Sequence, residues 1–234
     1  MRAVEFITEI DRRNVLKGLA AGGLMAAAAG SYLTKKDPVR RPTVGKVVNQ
    51  DEPEVDDGIS KAPNTISNRP ELEKLLINAA SSANPPLTGV ELAAFLAQCF
   101  HESDKFNAMR EYGGPKRFKR LYDITTNPRL AKILGNLHIG DGIRYHGRGF
   151  IQLTGRENYR NAGKALGIDL EGNPELAVNP KIAAKIAVWY WNTRVRPYVN
   201  DFTDTGAVTR KINAKLKGLD SREAAFRRYL ETMR

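Results

Sequence analysis

The chain has a single cysteine, Cys99, among its 234 residues, so no internal disulfide can form. Three histidines and that one thiol make no cluster with metal-ligand spacing, and no metal is expected. No run of apolar residues is long enough for a stable membrane span; the longest weakly apolar stretch, Gly18 to Leu33, has 16 residues. No 20–50-residue period repeats, which excludes a solenoid or propeller. Acidic residues are outnumbered. The formal net charge is +11, and from Ser67 onward 27 Lys and Arg stand against 17 Asp and Glu. Such a surface suits a polyanion: nucleic acid, anionic lipid or an acidic wall polymer. The cations are scattered and no DNA- or RNA-binding motif is present, so no nucleic-acid partner is expected.

Three segments follow from composition. Residues 1–35 hold Asp11-Arg12-Arg13-Asn14-Val15-Leu16-Lys17, then an Ala/Gly-rich run, then Lys35-Lys36. This is the pattern of a twin-arginine export signal, and small residues near Ala27-Ala28-Ala29 offer a cleavage site. Residues 36–66 contain four prolines and the acids Asp51, Glu52, Glu54, Asp56 and Asp57, with no apolar period; they read as a flexible linker. Residues 67–234 are periodic and form the expected folded domain.

The periods of that domain are mostly helical. Pro70 to Ala80 carries Leu72, Leu75, Leu76 and Ala79 on one face, and Asn84-Pro85-Pro86 ends it. Thr88-Gly89-Val90-Glu91 reads as a capping box opening a second helix. Lys116 to Leu134 suggests short helices, and Gly140-Asp141-Gly142 a turn. Ile143 to Thr154 alternates and is Gly-rich, as a short strand or extended loop would be. Arg156 to Leu166 is a helix stopped by Gly167, and Asn179-Pro180 opens another bearing Ile182, Ile186, Trp189 and Tyr190. Thr205 to Leu216 and a last helix from Asp220, with Phe226, Tyr229, Leu230 and Met233 on one stripe, complete the reading. The expected class is mainly α, with little β structure.

Chemistry concentrates between Phe95 and Glu111. The second helix has Leu92, Phe95, Leu96 and Cys99 at i, i+3, i+4 and i+7, and Glu102 continues that stripe. Cys99 therefore reads as a buried structural thiol. Glu102 is aimed inward at the C-terminal end of its helix, where desolvation and the helix dipole both disfavour the carboxylate. A carboxyl kept protonated is what a general acid needs. Glu111 lies beyond the helix, before the turn Tyr112-Gly113-Gly114-Pro115, in a wetter setting that favours ionisation. Two carboxyls in unlike environments form the acid and base of glycoside hydrolysis. Taken alone, a glutamate near a helix end is more often solvated or salt-bridged. His101 alone reads as a packing or hydrogen-bonding residue.

Further motifs occur in a fixed order: His101-Glu102-Ser103, YHGRGFIQLTGRENY at Tyr145–Tyr159, DLEGNPEL at Asp169–Leu176, Trp189-Tyr190-Trp191, and Lys211-Ile212-Asn213. Together they resemble glycoside hydrolase family 19, which includes chitinases and phage endolysins, over about residue 67 to the C-terminus. The resemblance implies a lysozyme-like, two-lobed helical fold. It implies hydrolysis of β-1,4 links between N-acetylated amino sugars with inversion, and no metal or organic cofactor. It assigns Glu102 as acid, Glu111 as base in the spacing of the endolysin branch, and Thr154 as the residue that holds the attacking water. Gln152, Asn158, Asn213 and His101 fall at substrate-contacting positions. Tyr145 and the tryptophan cluster could stack on sugar rings, although Trp189 shares the core stripe of Ile182 and Ile186. Where the family often has two glycines after the Asn213 position, this chain has Ala214-Lys215.

The residues 1–35 also resemble the signal-arrest-release segments of some phage lysins. The expectation is an exported, monomeric peptidoglycan hydrolase, an endolysin, reaching the periplasm or host inner membrane, in transient membrane contact through residues 1–35, and acting on the wall. Chitin is the alternative substrate. Two other classes are a non-catalytic wall-binding module, and a membrane-active basic protein using Arg222, Arg227, Arg228 and Arg234 beside the apolar stripe of the last helix.

Overall fold

The computed structural model describes residues 69–233; the expected export segment 1–35 and linker 36–66 lie outside the described residues. The elements in order are α1 (Arg69–Ser81), α2 (Gly89–Glu102), α3 (Pro115–Tyr122), α4 (Pro128–Leu134), α5 (Asp141–Arg144), α6 (Arg156–Leu166), α7 (Pro180–Tyr190), α8 (Thr205–Ile212) and α9 (Leu219–Thr232). A 3₁₀ turn (Pro174–Val178) precedes α7; a π turn (Trp191–Val195) and a second 3₁₀ turn (Arg196–Tyr198) follow it. Among the described residues there is no strand, only the single bridges Arg110 to Arg148 and Arg148 to Leu153.

The mainly helical expectation holds, and the short helices expected between Lys116 and Leu134 are α3 and α4. Local signals explain several ends. Asn179 caps α7 by accepting from the amides of Lys181 and Ile182. Gly167 ends α6 in the left-handed conformation. α1 stops at Ser81, ahead of the proline pair, and α8 stops at Ile212 rather than running to Leu216.

Two expectations are corrected. Thr88 stands at the N-cap of α2, but its side chain makes no capping hydrogen bond. Glu91, the other half of the expected box, instead accepts from Arg196 Nε at 2.6 Å and Nη2 at 2.8 Å, and from Trp191 Nε1 at 2.9 Å. A two-armed charge-assisted contact outweighs a backbone cap. Of the two readings of Ile143 to Thr154, the loop holds beyond Arg144 and the strand does not, and Gly140-Asp141-Gly142, expected as a turn, opens the short helix α5. After it the chain doubles back, with Arg148 and Leu153 exchanging backbone hydrogen bonds at 3.2 and 2.8 Å. Left-handed Gly149 and Gln152 make the reversal. The alternation seen in sequence reflects a coiled loop whose Phe150, Leu153 and Thr154 point inward.

Burial defines two lobes. The larger core gathers α1, α2 and α6–α9; Phe95 meets Trp191 edge-to-face at 5.5 Å. The largest helix-to-helix contact joins α2 to α9. A second cluster, Phe118, Tyr122, Leu130 and Leu134, is built from α3 and α4, with Ile143 of α5 against it. Phe118 of that small lobe stacks on His146, the ring centroids 4.2 Å apart and 6° from parallel. No described helix is long and apolar enough to cross a membrane.

The His146 seam has a pH consequence. Burial, with Arg148 beside it, lowers the imidazole to about 4, and its Nδ1 donates to the Ile143 carbonyl at 2.7 Å. The unfolded chain takes up this proton near pH 6.5 and the native state does not, so stability falls as pH drops from 6.5 toward 4. Between pH 6.5 and 5 the loss is about 2 kcal/mol. Chemical denaturation at stepped pH should show that slope and should lose it in His146→Gln; an unchanged slope in the variant would contradict a neutral buried imidazole.

Candidate active site

Glu102 is the last residue of α2 and is buried, as its stripe predicts. Its environment was only half legible. Arg222 of α9, 1% exposed, places Nη2 on Glu102 Oε1. The inward carboxyl and the salt-bridged carboxyl, read from sequence as alternatives, are the same residue. The sequence argument from burial and the helix end is therefore incomplete, because it leaves out the Arg222 contact. Cys99, one turn earlier, is fully buried, and burial pushes its thiol far up, with Glu102 adding to the effect.

The membrane-active alternative places Arg222 among the surface cations of the last helix, and the structure buries it instead. It lies at i−4 from Phe226 and i−7 from Tyr229, on the apolar stripe itself, and that position is the signal that could have found it. Phe226 and Tyr229 are buried against α2, so the apolar stripe is not available to a bilayer.

The chain leaves α2 through a tight reversal. Asp104, Lys105 and Phe106 are left-handed in succession, with φ of 51°, 58° and 65°. Side chains with a Cβ resist that conformation by about 1–2 kcal/mol per residue. Ser103 holds it: Oγ donates to the Cys99 carbonyl at 2.7 Å and accepts from the Phe106 amide at 3.2 Å. Phe106 is buried edge-on against Phe100 and Phe150.

Glu111 follows, half-buried. Tyr122 Oη donates to Oε1 at 2.7 Å, and the Gly147 amide donates to Oε2 at 3.2 Å. The two donors fix the orientation of the carboxyl group, which is held by hydrogen bonds as well as by solvent. Tyr122, which sequence reasoning missed, is a core residue of the small lobe; burial first, then the charge of Glu111, raises its own phenol. Gly147 leaves the base room, since a Cβ there would press tightly on Glu111 Oε2 at 3.2 Å and on Gln152 Oε1 at 3.0 Å.

The structure brings Glu111, Gly147, Gln152, Thr154 and Asn158 together. Gln152 Nε2 donates to the carbonyls of Gly149 at 2.9 Å and Ala108 at 3.3 Å, leaving Oε1 toward Gly147. Thr154 Oγ1 donates to the Gln152 carbonyl at 2.9 Å, and Asn158 Nδ2 to the Thr154 carbonyl at 2.8 Å. Arg148 anchors the loop, donating to Arg144 and His146 carbonyls, Tyr159 Oη and Glu175. Glu175 is held down to about 2 by Arg110, with Arg148 beside it.

Other expected contacts sit elsewhere. Tyr145 is 2% exposed and its Oη donates to the Glu171 carbonyl at 3.0 Å, so its ring packs the core and presents no face to a sugar. Trp191 is likewise interior, and Trp189 packs half-buried against the core. Asn213 is buried; its Oδ1 accepts from the Lys215 amide at 3.1 Å, inside the segment that departs from the two-glycine pattern. His101 bonds Ser221 Oγ at 3.1 Å and lies against Gly218, which matches a packing and hydrogen-bonding role. Among the described residues, no group of His, Cys, Asp and Glu could hold a metal ion.

Comparison with known proteins now places the chain. The sequence model for glycoside hydrolase family 19, described as chitinase class I, matches residues 78–206. A glycosyl hydrolase family 19 domain-containing protein of Haemophilus influenzae is 35% identical over 164 residues, covering 61% of this chain and 80% of its own length. An endochitinase of Arabidopsis thaliana is 40% identical over 124 residues, which are 53% of this chain but 38% of the plant protein. Chitinase C of Streptomyces griseus superposes with a TM-score of 0.54 at 27% identity, covering 75% of this chain and 77% of that one. The chain belongs to glycoside hydrolase family 19. It is a chitinase-like glycosidase with the family's lysozyme-like helical fold, and its substrate is a polysaccharide.

Tyr122→Phe removes one of two donors to the Glu111 carboxylate and keeps the packing ring. With one hydrogen bond to the base lost, kcat should fall by about tenfold, with the melting temperature nearly unchanged. An unchanged kcat would separate Tyr122 from the chemistry.

Proposed function

We propose that this glycosidase is an exported peptidoglycan hydrolase, an endolysin, that cuts β-1,4 links between N-acetylated amino sugars of the bacterial wall with inversion. The observation that carries the reading is charge on the small lobe. Between Pro115 and Arg144 the only acids, Asp123 and Asp141, are buried. Lys116, Lys119, Arg120, Arg129, Lys132 and Arg144 are exposed. A lobe whose exposed charges are all positive suits an acidic wall polymer and gives no advantage on neutral chitin. The twin-arginine segment and Gly18–Leu33 support delivery to the periplasmic side, either by export or through transient contact with the inner membrane, and the protein acts as a monomer.

In the proposed reaction Glu111, ionised between Tyr122 and Gly147, takes a proton from water. Thr154 spends its own proton on the Gln152 carbonyl and keeps lone pairs to accept from that water. The water oxygen bonds to the anomeric carbon as the glycosidic C–O bond breaks, and Glu102 gives its proton to the leaving oxygen. Such a displacement needs the two carboxyls about 6.5–9.5 Å apart. Gln152 and Asn158 order the loop beside the base.

A second reading, chitin hydrolysis, is favoured by the relatives described as endochitinases. Purified protein should be incubated with Gram-negative peptidoglycan and with chitin oligomers, and the products read by mass spectrometry. Muropeptides with new reducing amino-sugar ends are expected; turnover of chitin alone would replace the wall reading with the second one.

A further inference from the structure

Glu102 does not have Arg222 to itself. Arginine commonly meets a carboxylate with two parallel N–H···O bonds. Here the three guanidinium nitrogens of Arg222 go to three acceptors. Nη2 reaches Glu102 Oε1, Nη1 reaches Gln98 Oε1, and Nε donates to the Lys217 carbonyl at 3.3 Å. Gln98 is one helical turn before Glu102 and occupies the arm that would complete the fork. Its own orientation is fixed, because Nε2 donates to Thr209 Oγ1 of α8 at 3.2 Å. Arginine is donor-only, so the amide oxygen must face it. Gln98, Thr209 and Arg222 are each at most 1% exposed, and water does not compete for these sites.

We infer that Gln98, oriented by Thr209, is a positioning residue that restricts Arg222 to a one-donor contact with Glu102 and leaves Glu102 Oε2 to carry the transferable proton. The inference rests on Glu102 being the acid. A two-armed arginine would engage both carboxyl oxygens, whereas the one-armed contact orients the group and leaves one oxygen to face the leaving group.

Few other groups bear on Glu102. α9 supplies Arg222, and α2 itself supplies the Cys99 thiol and, at its end, His101, which is bonded to Ser221. α8 presents the Thr209 hydroxyl. α1 buries only Leu72, Leu76 and Ala80, and its Glu73 lies beside Tyr229. After α2, Asp104 accepts from Tyr112 Oη.

The test is the alkaline limb of kcat/KM, which reports loss of the acid's proton in the free enzyme. It is measured on full-length protein with chitin hexasaccharide and with solubilised peptidoglycan. Gln98→Leu frees Nη1 to complete the fork, so the limb should move down by about one pH unit. Gln98→Glu gives Arg222 a competing carboxylate and sets a negative charge one turn from Glu102, so the limb should move up by a similar amount. Thr209→Val releases the amide and should shift the limb in the Gln98→Leu direction. A role in packing alone would lower amplitude without opposite shifts, and limbs that stay put or move together in both Gln98 variants overturn the inference. Glu102→Gln is assayed alongside. If it is inactive while the Gln98 limbs stay fixed, only this inference fails; if it remains active, the acid assignment itself fails. Should Gln98→Leu not fold, Gln98→Glu and Thr209→Val still give shifts of opposite sign to compare.

Discussion

The contact between Glu102 and Arg222 ties the site to the fold. It joins the end of α2 to the first turn of α9, across the most extensive helix interface of the molecule. Burying a guanidinium is costly, and Arg222 is tolerable there because Glu102, Gln98 and the Lys217 carbonyl together engage its donors. Removing the carboxyl side chain would leave the Arg222 charge buried and unmatched, at a cost of about 3–5 kcal/mol. The last helix is therefore part of the catalytic apparatus as well as of the core.

The second carboxylate is fastened to a different body. Glu111 is held by Tyr122, whose ring sits in the small-lobe core, and by the amide of Gly147. The loop that carries Gly147 is fixed in turn by Arg148, bonded to two carbonyls, Tyr159 and Glu175. One carboxyl thus belongs to the large lobe and the other to the small one, and a left-handed reversal at Asp104–Phe106 connects them. Strained backbone at this point sets the direction in which the chain leaves the acid and approaches the base. That division suits a substrate lying between lobes.

Helices with a clean apolar stripe were legible in the sequence, and so was the inward aim of Glu102, because both follow from a 3.6-residue period. Partners distant in sequence were not. Arg222 and Glu102 are 120 residues apart, and only the presence of a cation on an otherwise apolar stripe hinted at the pair. Tyr122 looked like ordinary core, and its hydroxyl shows its purpose only once Glu111 is placed beside it. The Gly-rich stretch after Tyr145 left strand and loop both open. Its alternation matched a strand, but left-handed Gly149 and Gln152 fold it into a loop that no period describes. Tyr145 was an attractive sugar platform by residue type, and its burial depends on Glu171, 26 residues further on.

The central claim is that Glu102 and Glu111 act as a separated acid and base on opposite faces of one glycosidic bond. Its most direct test is the configuration of the newly formed reducing end, followed by proton NMR during the first minutes of hydrolysis of a soluble β-1,4-linked substrate. The account predicts that the α-anomer appears first and the β-anomer only later, by mutarotation. Initial release of the β-anomer would mean retention, and would contradict the roles given to both carboxylates.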